Sequence, residues 1–352
     1  MESTFELLKA FTEAPGPSGR ENVVRDAIAA RWTPLADEIR VDAMGSLIAL
    51  QRGSGPQPRP AVMAAAHLDE IGLIVTGIEG DFLRAHALGG IDRRVLLGLD
   101  VLVHGQRVLP GIIGSRPPHV LTPEEREKII AWEEVYVDTG LPRDELAALV
   151  VVGDHITFDR ELVALKNDRV AGKALDNRAS VVAVTLALQA LRERNHAWDF
   201  YAVATVQEEV GLKGAITSAY GLAPEIAIVL DVTFAPQHDD EGPGTFALGK
   251  GPTIAAGPNF HPQVVERLQA AAKAEEIPNQ FEAVPGSSGT DAWGIQVARE
   301  GIPTGLIEIP LRYMHQPVET GALPDIERAG RLLASFIARL EADFRPRWED
   351  EL

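Results

Sequence analysis

The sequence lacks cysteine altogether, which excludes disulfide bridges, thiolate metal sites and cysteine nucleophiles. It also has few basic residues: 33 Lys and Arg stand against 51 Asp and Glu, for a formal net charge of -18. Because a phosphate backbone is bound mainly through clustered cations, this balance argues against a nucleic-acid partner. No apolar run approaches the roughly 18 residues of a membrane span, and the acidic first residues do not have a signal-peptide pattern. We therefore expect a cytoplasmic protein without a membrane segment, and the missing cysteines fit a reducing compartment.

Apolar content is high enough for a large core, and helix and strand patterns alternate along the chain. Of the 352 residues, 45% are hydrophobic, which excludes an intrinsically disordered protein. Strand-like runs such as AVMAAAHL, DFYAVATV and IAIVLDV are separated by helical segments such as SVVAVTLALQALRER. This alternation predicts an α/β fold, with a mixed sheet flanked by helices. Ser18 and Glu21 have the spacing of a capping box, which predicts that they begin the helix over ENVVRDAIAARW.

A different pattern interrupts the α/β region from about Glu70 to Asn167. Short strand-like runs, among them IGLIVTGI, FLRAHAL, DVLVHG and EEVYVD, are divided by Gly, Pro and Asp turns. This spacing predicts a small inserted β-barrel domain over residues 70–167, within a catalytic domain formed by residues 1–69 and 168–352. So small a domain cannot bury all its edges and apolar surface alone, so we expect it to pair with a second copy through a two-fold interface.

Histidine and carboxylate side chains follow several of the predicted strands. In open α/β sheets, ligands bind beyond the carboxyl ends of the strands, so these side chains are expected to meet at one edge. Two imidazoles with several carboxylates suit divalent metal ions, and the nitrogen donors favour zinc. The count of ligands predicts a pair of metals bridged by Asp176. The predicted terminal ligands are His67, Glu209, Asp231 and His315.

Each of these residues also has a purely structural interpretation. A histidine at a strand end is usually a satisfied structural group, and an Asp before a helix, such as Asp176, is most often an N-cap. Adjacent glutamates usually lie on a solvated surface. Asp231 is harder to explain in this way, because an acid that continues an apolar strand needs a partner. Glu208 is not required as a ligand, so it is free to accept a proton from metal-bound water.

The segments AAHLDEIGLIV, GKALDNRAS, QEEVGLKGA, VLDVT, SSGTDA and IPLRYMHQPVE together resemble the tetrahedral (TET) aminopeptidases. These are dinuclear metallopeptidases, with relatives called glutamyl or deblocking aminopeptidases and, in some cases, endoglucanases. The resemblance implies two divalent metal ions per subunit, zinc or cobalt, and a hollow dodecamer built from dimers that pair through the inserted β-rich domain. It implies that Asp176 bridges the metals, with His67 and Asp231 on one and Glu209 and His315 on the other. It further implies that Glu208 is the general base and that Asp69 orients the imidazole of His67.

The sequence therefore predicts a metal-dependent aminopeptidase that removes N-terminal residues from short peptides. Three alternatives stay open. The first is a metal-dependent deacylase or carboxypeptidase on a similar site. The second is an endoglucanase-type glycoside hydrolase, which would need two carboxylates flanking a sugar and no metal. The third is an assembly protein without enzymatic activity.

Overall fold

The structure is a computed structural model that describes residues 2–238 and 242–347. The helices in these ranges are α1 (Thr4–Glu13), α2 (Asn22–Trp32), α3 (Pro123–Arg126), α4 (Arg143–Leu149), α5 (Leu175–Arg192), α6 (Lys213–Leu222), α7 (Pro262–Ala274), α8 (Asp291–Ile295) and α9 (Leu323–Ala338). The strands are β1 (Glu38–Val41), β2 (Leu47–Gln51), β3 (Ala61–His67), β4 (Gly72–Glu79), β5 (Phe82–Leu88), β6 (Asp100–His104), β7 (Val108–Gly114), β8 (Tyr136–Asp138), β9 (His155–Phe158), β10 (Val163–Ala164), β11 (Arg169–Gly172), β12 (Asp199–Thr205), β13 (Ile226–Phe234), β14 (Thr253–Ala256), β15 (Gln280–Ala283), β16 (Thr304–Leu311) and β17 (Glu319–Ala322). Within the described ranges, no helix combines the length and apolar character that crossing a membrane requires.

An eight-stranded mixed sheet forms the centre of the larger unit, in the order β1-β2-β12-β3-β13-β16-β14-β15. The four central strands β12, β3, β13 and β16 run parallel to their neighbours in that group. Their carboxyl ends therefore meet at one edge of the sheet. The run AVMAAA is almost wholly buried because β3 is central, with hydrogen-bonded neighbours on both sides. The predicted α/β class with a mixed sheet flanked by helices is confirmed.

Helices cover the sheet and bring their apolar sides to one large core. The long helix α5 packs against α9 and against strands β3 and β13, while α6 packs against α8. The α5 segment is buried over most of its length, which explains why its sequence is apolar on nearly every side. Helix α1 begins with a capping box in which Ser3 and Glu6 satisfy each other's backbone N–H groups.

The predicted capping box at Ser18 and Glu21 is wrong. Helix α2 begins after Glu21 without a side-chain hydrogen bond to its first turn. The Ser18 hydroxyl instead donates to Asp69 Oδ2 at 2.6 Å, and Glu21 Oε1 accepts from the backbone N–H groups of Gly19 and Gln207 at 2.7 and 3.2 Å. Residues 17–20 form a turn in which the Arg20 N–H donates to the carbonyl of Pro17 at 2.8 Å, so helix α2 begins too late for Ser18 to cap it.

The six strands from β4 to β9 close into an antiparallel barrel in the order β4-β5-β8-β7-β6-β9. Strand β7 alternates strictly between exposed and buried residues, as a barrel strand must. The barrel has a hydrophobic core of its own, separate from that of the sheet, which includes Leu73, Leu83, Val103 and Val137. The predicted inserted β-barrel is therefore confirmed as an element of the fold. After the barrel, β10 pairs with β11, which pairs with β17 in a small three-stranded sheet.

Candidate metal centre

The predicted site residues lie along the carboxyl edge of the parallel strands. His67 is the last residue of β3, and its side chain is only 2% exposed. Glu208 and Glu209 follow the end of β12 after a short turn, and His315 follows β16. Asp231 lies inside β13, which continues to Phe234, so the strand does not end at the acid as its sequence suggested.

The side chains converge on Asp176. Its Oδ1 lies 3.1 Å from His67 Nε2, and its Oδ2 lies 3.3 Å from His315 Nε2. Glu209 Oε2 is 3.8 Å from His315 Nε2. Ligand atoms of His67, Asp176 and Glu209 all lie within 4.8 Å of one another, which makes these three a candidate metal-binding group. Carboxylate oxygens of Glu208 and Asp231 also lie near His67 Nε2, each at 3.9 Å.

The backbone at Asp176 explains why this carboxylate reaches the site. Ala174 adopts a left-handed conformation with φ of 55°, and Asp176 and Asn177, joined by a cis peptide bond, have non-helical angles at the start of α5. The Asp176 side chain does not cap the helix. Its backbone N–H donates to Glu319 Oε2 at 2.9 Å, and the Asn177 side-chain amide donates to the carbonyl of Leu230 at 2.9 Å. The start of α5 is thus fixed to β13 and β17.

Asp69 connects His67 with the turn that carries the two glutamates. Its Oδ1 accepts from Glu208 N at 3.0 Å, and its Oδ2 accepts from Glu209 N at 3.2 Å and from the Ser18 hydroxyl at 2.6 Å. His67 Nδ1 lies 3.4 Å from Oδ1. Burial raises the pKa of Asp69, but the contact with His67 and these hydrogen bonds outweigh burial and leave the pKa lowered. His67 Nδ1 also lies 3.3 Å from the backbone carbonyl of Asp69. The carbonyl and the carboxylate of Asp69 therefore both contact the imidazole, and the ionised carboxylate also accepts from the glutamate turn.

The remaining carboxylates lack enough positive charge around them. Burial raises the pKa of Glu208 to about 10 and that of Glu209 to about 8, and it raises the pKa of Asp231 well above its usual value. A hydrogen bond with Asp176 raises the pKa of His315 to about 9. A bound cation lowers the pKa of crowded carboxylates and allows them to ionise. The nitrogen and oxygen donors and this charge deficit therefore fit a divalent metal ion.

Two acids at the centre were not predicted from the sequence. Glu319, at the start of β17, accepts from the backbone N–H groups of Asp176 and His315 at 2.9 and 3.1 Å. Asp291 begins α8 and is 1% exposed; its Oδ2 accepts from the Thr205 hydroxyl at 2.5 Å, and its Oδ1 has no hydrogen-bond partner. Burial raises the pKa of Asp291 to about 6. Asp291 lies in SSGTDA and Glu319 in IPLRYMHQPVE, two of the segments on which the family resemblance rests. That resemblance was the signal that could have identified them.

A loop of the barrel closes one side of the site. Gly89 and Gly90 follow β5, and a Cβ built on Gly90 would lie 2.8 Å from His315 Nδ1. A Cβ on Gly89, whose φ is +88°, would lie 3.3 Å from Glu209 Oε2. Only glycine allows the backbone to approach these two side chains so closely. The inserted barrel is therefore in direct contact with the candidate metal centre.

The fold and the site define an α/β protein with an inserted barrel and a candidate metal centre at the carboxyl edge of its mixed sheet. More narrowly, the chain belongs to the M42 glutamyl aminopeptidase family, whose model matches residues 45–332. The resemblance to TET aminopeptidases is thereby confirmed.

Individual relatives match over nearly the whole chain. The lysyl aminopeptidase of Pyrococcus furiosus is 37% identical, covering 97% of this chain and 99% of the relative. The TET aminopeptidase of a marine sediment archaeon of the Thaumarchaeota has a TM-score of 0.90 at 35% identity, covering 97% and 98% of the two chains. The TET1 peptidase of Pyrococcus horikoshii, described as assembling into a tetrahedron or a large octahedral shell, has a TM-score of 0.85 at 33% identity, covering 96% and 100%.

Proposed function

We propose that the protein is a metal-dependent aminopeptidase with two divalent metal ions, zinc or cobalt, in each subunit. The observation that carries the proposal is the position of Asp176, whose two oxygens face the Nε2 atoms of two different histidines. A carboxylate that faces ligands on both sides has the arrangement that a bridge between two metals requires. The lysyl and TET aminopeptidases among the relatives support the same reaction.

The residues divide into two ligand groups around the bridging Asp176. His67 and Asp231 would complete the first, and Glu209 and His315 the second. When bound, the metal pair would polarise the scissile carbonyl and lower the pKa of water. Asp69 holds the imidazole of His67 in its orientation.

Glu208 is the general base in this proposal. Its backbone N–H is fixed by Asp69, while its carboxylate lies 3.9 Å from His67 Nε2, beside the ligand group. From there it takes a proton from the attacking water and delivers it to the leaving amine. We expect Glu208→Gln to keep the bound metal and to lose about 10²–10⁴ in kcat. Glu209→Gln is the matched control and should lose metal instead; the reverse pattern by elemental analysis would exchange the two roles.

Short peptides are the proposed substrates, and the preferred N-terminal residue stays open. The family description names glutamyl residues and the Pyrococcus furiosus relative is called a lysyl enzyme, so relatives do not agree on specificity. A panel of amino-acid amides, N-acetylated peptides and soluble cellulose tests the activity against the alternatives. Cleavage of amides with free amines, abolished by chelation and restored by zinc or cobalt, is the expected result. Cleavage only of acetylated peptides, or chelator-resistant cleavage of cellulose, would contradict an aminopeptidase.

The proposal extends to assembly. We assign residues 70–167 to dimerisation and residues 1–69 and 168–352 to catalysis, with dimers joined into a dodecamer. The barrel side of the chain exposes apolar side chains that pairing would cover, including Val108, Ile112, Val151 and Val152. The Pyrococcus horikoshii relative, described as forming closed shells, supports this assembly. A shell would admit short or unfolded peptides and exclude folded proteins.

A further inference from the structure

Three charged residues beside the metal centre take no part in the proposed chemistry. Glu70 directly follows Asp69, and Lys173 and Arg178 lie on either side of Asp176 in the GKALDNRAS segment. Their exposures are 1% for Glu70, 4% for Lys173 and 0% for Arg178. A buried charge is costly unless it is paired, so three of them together require a physical reason.

The three side chains form one buried ion cluster. Lys173 Nζ donates to Glu70 Oε2 at 2.6 Å, and Arg178 Nη2 lies 3.8 Å from Glu70 Oε1. The backbone N–H of Gly16 donates to Glu70 Oε1 at 2.9 Å. Glu70 is thus held from two elements and by the N-terminal segment at once. We call these three residues the Glu70 cluster.

Arg178 fastens the N-terminal segment to the cluster. Its Nη1 donates to the carbonyl of Phe11 at 2.6 Å and to that of Ala14 at 3.2 Å. The segment approaches so closely that a Cβ built on Gly16 would lie 2.8 Å from Arg178 Nη2 and 2.5 Å from Val24 Cγ1. The Glu70 cluster is therefore enclosed by packed atoms and has little room to relax.

The Glu70 cluster joins the segment that enters the barrel to the segment that enters α5. Glu70 lies between β3 and β4, just after His67 and Asp69. Lys173 lies between β11 and α5, just before Asp176. The ion pair therefore links the end of the strand that carries His67 to the start of the helix that carries Asp176. Few other polar contacts join these two segments, apart from the 3.1 Å approach of His67 to Asp176 themselves.

We infer that Glu70, Lys173 and Arg178 are positioning residues that set the separation between His67 and Asp176 before a metal binds. The inference rests on the proposed metal centre. In a water-excluded setting, an ion pair with a short hydrogen bond resists displacement at either end, because moving one partner leaves the other charge buried alone. A preformed spacing lets the ligands bind without first reorganising, which increases metal affinity.

The test measures metal affinity rather than activity. Glu70→Gln/Lys173→Met removes both charges of the short ion pair at similar volume, while Arg178 keeps its hydrogen bonds to the carbonyls of Phe11 and Ala14. Lys173→Met alone leaves Glu70 with Arg178 and the Gly16 N–H, and it serves if the double variant fails to fold. The control, Arg59→Met/Asp199→Asn, removes an ion pair of 2.6 Å between the residues that precede β3 and begin β12, at the opposite edge of the sheet. Each chelated protein is titrated with Co²⁺ by calorimetry, and its melting temperature is recorded without metal.

We expect the double variant to bind Co²⁺ about 10- to 100-fold more weakly than the unaltered protein. Lys173→Met should show a smaller loss in the same direction, because Glu70 keeps Arg178, and the control should bind as the unaltered protein does. Unaltered affinity in every folded cluster variant, with only a lower melting temperature, would overturn the inference, since a merely structural role has that signature. An unaltered protein that binds no Co²⁺ would instead contradict the proposed function.

Discussion

Asp69→Asn tests how the candidate metal centre is held together. Both oxygens of Asp69 are acceptors: Oδ1 for Glu208 N at 3.0 Å, and Oδ2 for Glu209 N at 3.2 Å and the Ser18 hydroxyl at 2.6 Å. An asparagine side chain has one acceptor oxygen and one NH₂ donor. Whichever way the amide is turned, its NH₂ group must face a backbone N–H that had an acceptor before.

The expected loss of stability follows from the hydrogen bonds that the asparagine side chain cannot accept. If NH₂ replaces Oδ1, it opposes Glu208 N and lies beside His67 Nδ1; if it replaces Oδ2, it opposes Glu209 N. Hydrogen bonds to a charged group contribute about 1.5–3 kcal/mol each, so the free energy of unfolding should fall by at least that amount. Because the partner that orients His67 loses its charge, metal affinity should fall by about 10- to 100-fold.

Urea unfolding of the chelated protein and calorimetric titration with Co²⁺ measure the two effects separately. Ser18→Ala is the control, because it removes one donor to Asp69 and leaves the carboxylate in place. It should cost about 1.5–3 kcal/mol of stability, as the loss of one hydrogen bond to a charged group, and leave metal affinity nearly unchanged. If Asp69→Asn bound Co²⁺ as tightly as the unaltered protein, the assignment of the Asp69 carboxylate as the group that orients His67 would be refuted, and the Asp69 carbonyl would suffice for it.

Three further predictions concern the metal-free protein, the barrel loop and the assembly. Because Asp176 raises the pKa of His315 to about 9, the folded metal-free protein holds a proton that the unfolded chain has released; its unfolding free energy should therefore fall as pH rises towards 9. If the unfolding free energy of the chelated protein rose over that pH interval instead, the predicted direction would be wrong. Gly90→Ala places a Cβ 2.8 Å from His315 Nδ1 and should weaken Co²⁺ binding. Gly114→Ala is the control, because its Cβ has open space around it, and it should not weaken binding. Equal Co²⁺ affinities of the two variants would show that the contact between the loop and His315 does not matter for metal binding. Light scattering at micromolar concentration should report a large oligomer, and an active monodisperse monomer would exclude the proposed assembly.

The fold could be predicted because its signals are local and repeated. Each barrel strand is a short run bounded by turn residues, and the central strand β3 is apolar on both faces, AVMAAA, as a strand covered by helices must be. The convergence of His67, Glu208 and His315 followed from the same logic, since the ends of parallel strands meet at one edge. In these cases the sequence pattern and the tertiary structure impose the same requirement on the same residues.

The contacts that could not be predicted join residues far apart in the chain. Ser18 and Glu21 have a helix-cap spacing, yet Ser18 donates to Asp69, which lies in another element. The pairing of Glu70 with Lys173 likewise joins residues 103 positions apart. A local spacing cannot show where the turn after Pro17 ends and the helix begins, nor that Asp69 will lie beside the Ser18 hydroxyl.

The barrel is attached to the metal centre independently of any partner subunit. Its loop at Gly89 and Gly90 lies against Glu209 and His315, and the connection from β3 into the barrel carries Glu70, which pairs with Lys173. Deleting residues 70–167 would remove packing from two proposed ligands and break a buried ion pair, as well as removing the proposed dimer interface. Loss of activity in such a deletion would therefore not show that assembly is required for catalysis. The two effects are separated by a charged substitution at an exposed apolar position of the barrel side, such as Val152→Asp, which leaves these contacts in place. If that variant is smaller in solution but binds Co²⁺ with unaltered affinity, the metal centre is complete within one chain; weakened binding would show that it depends on the interface.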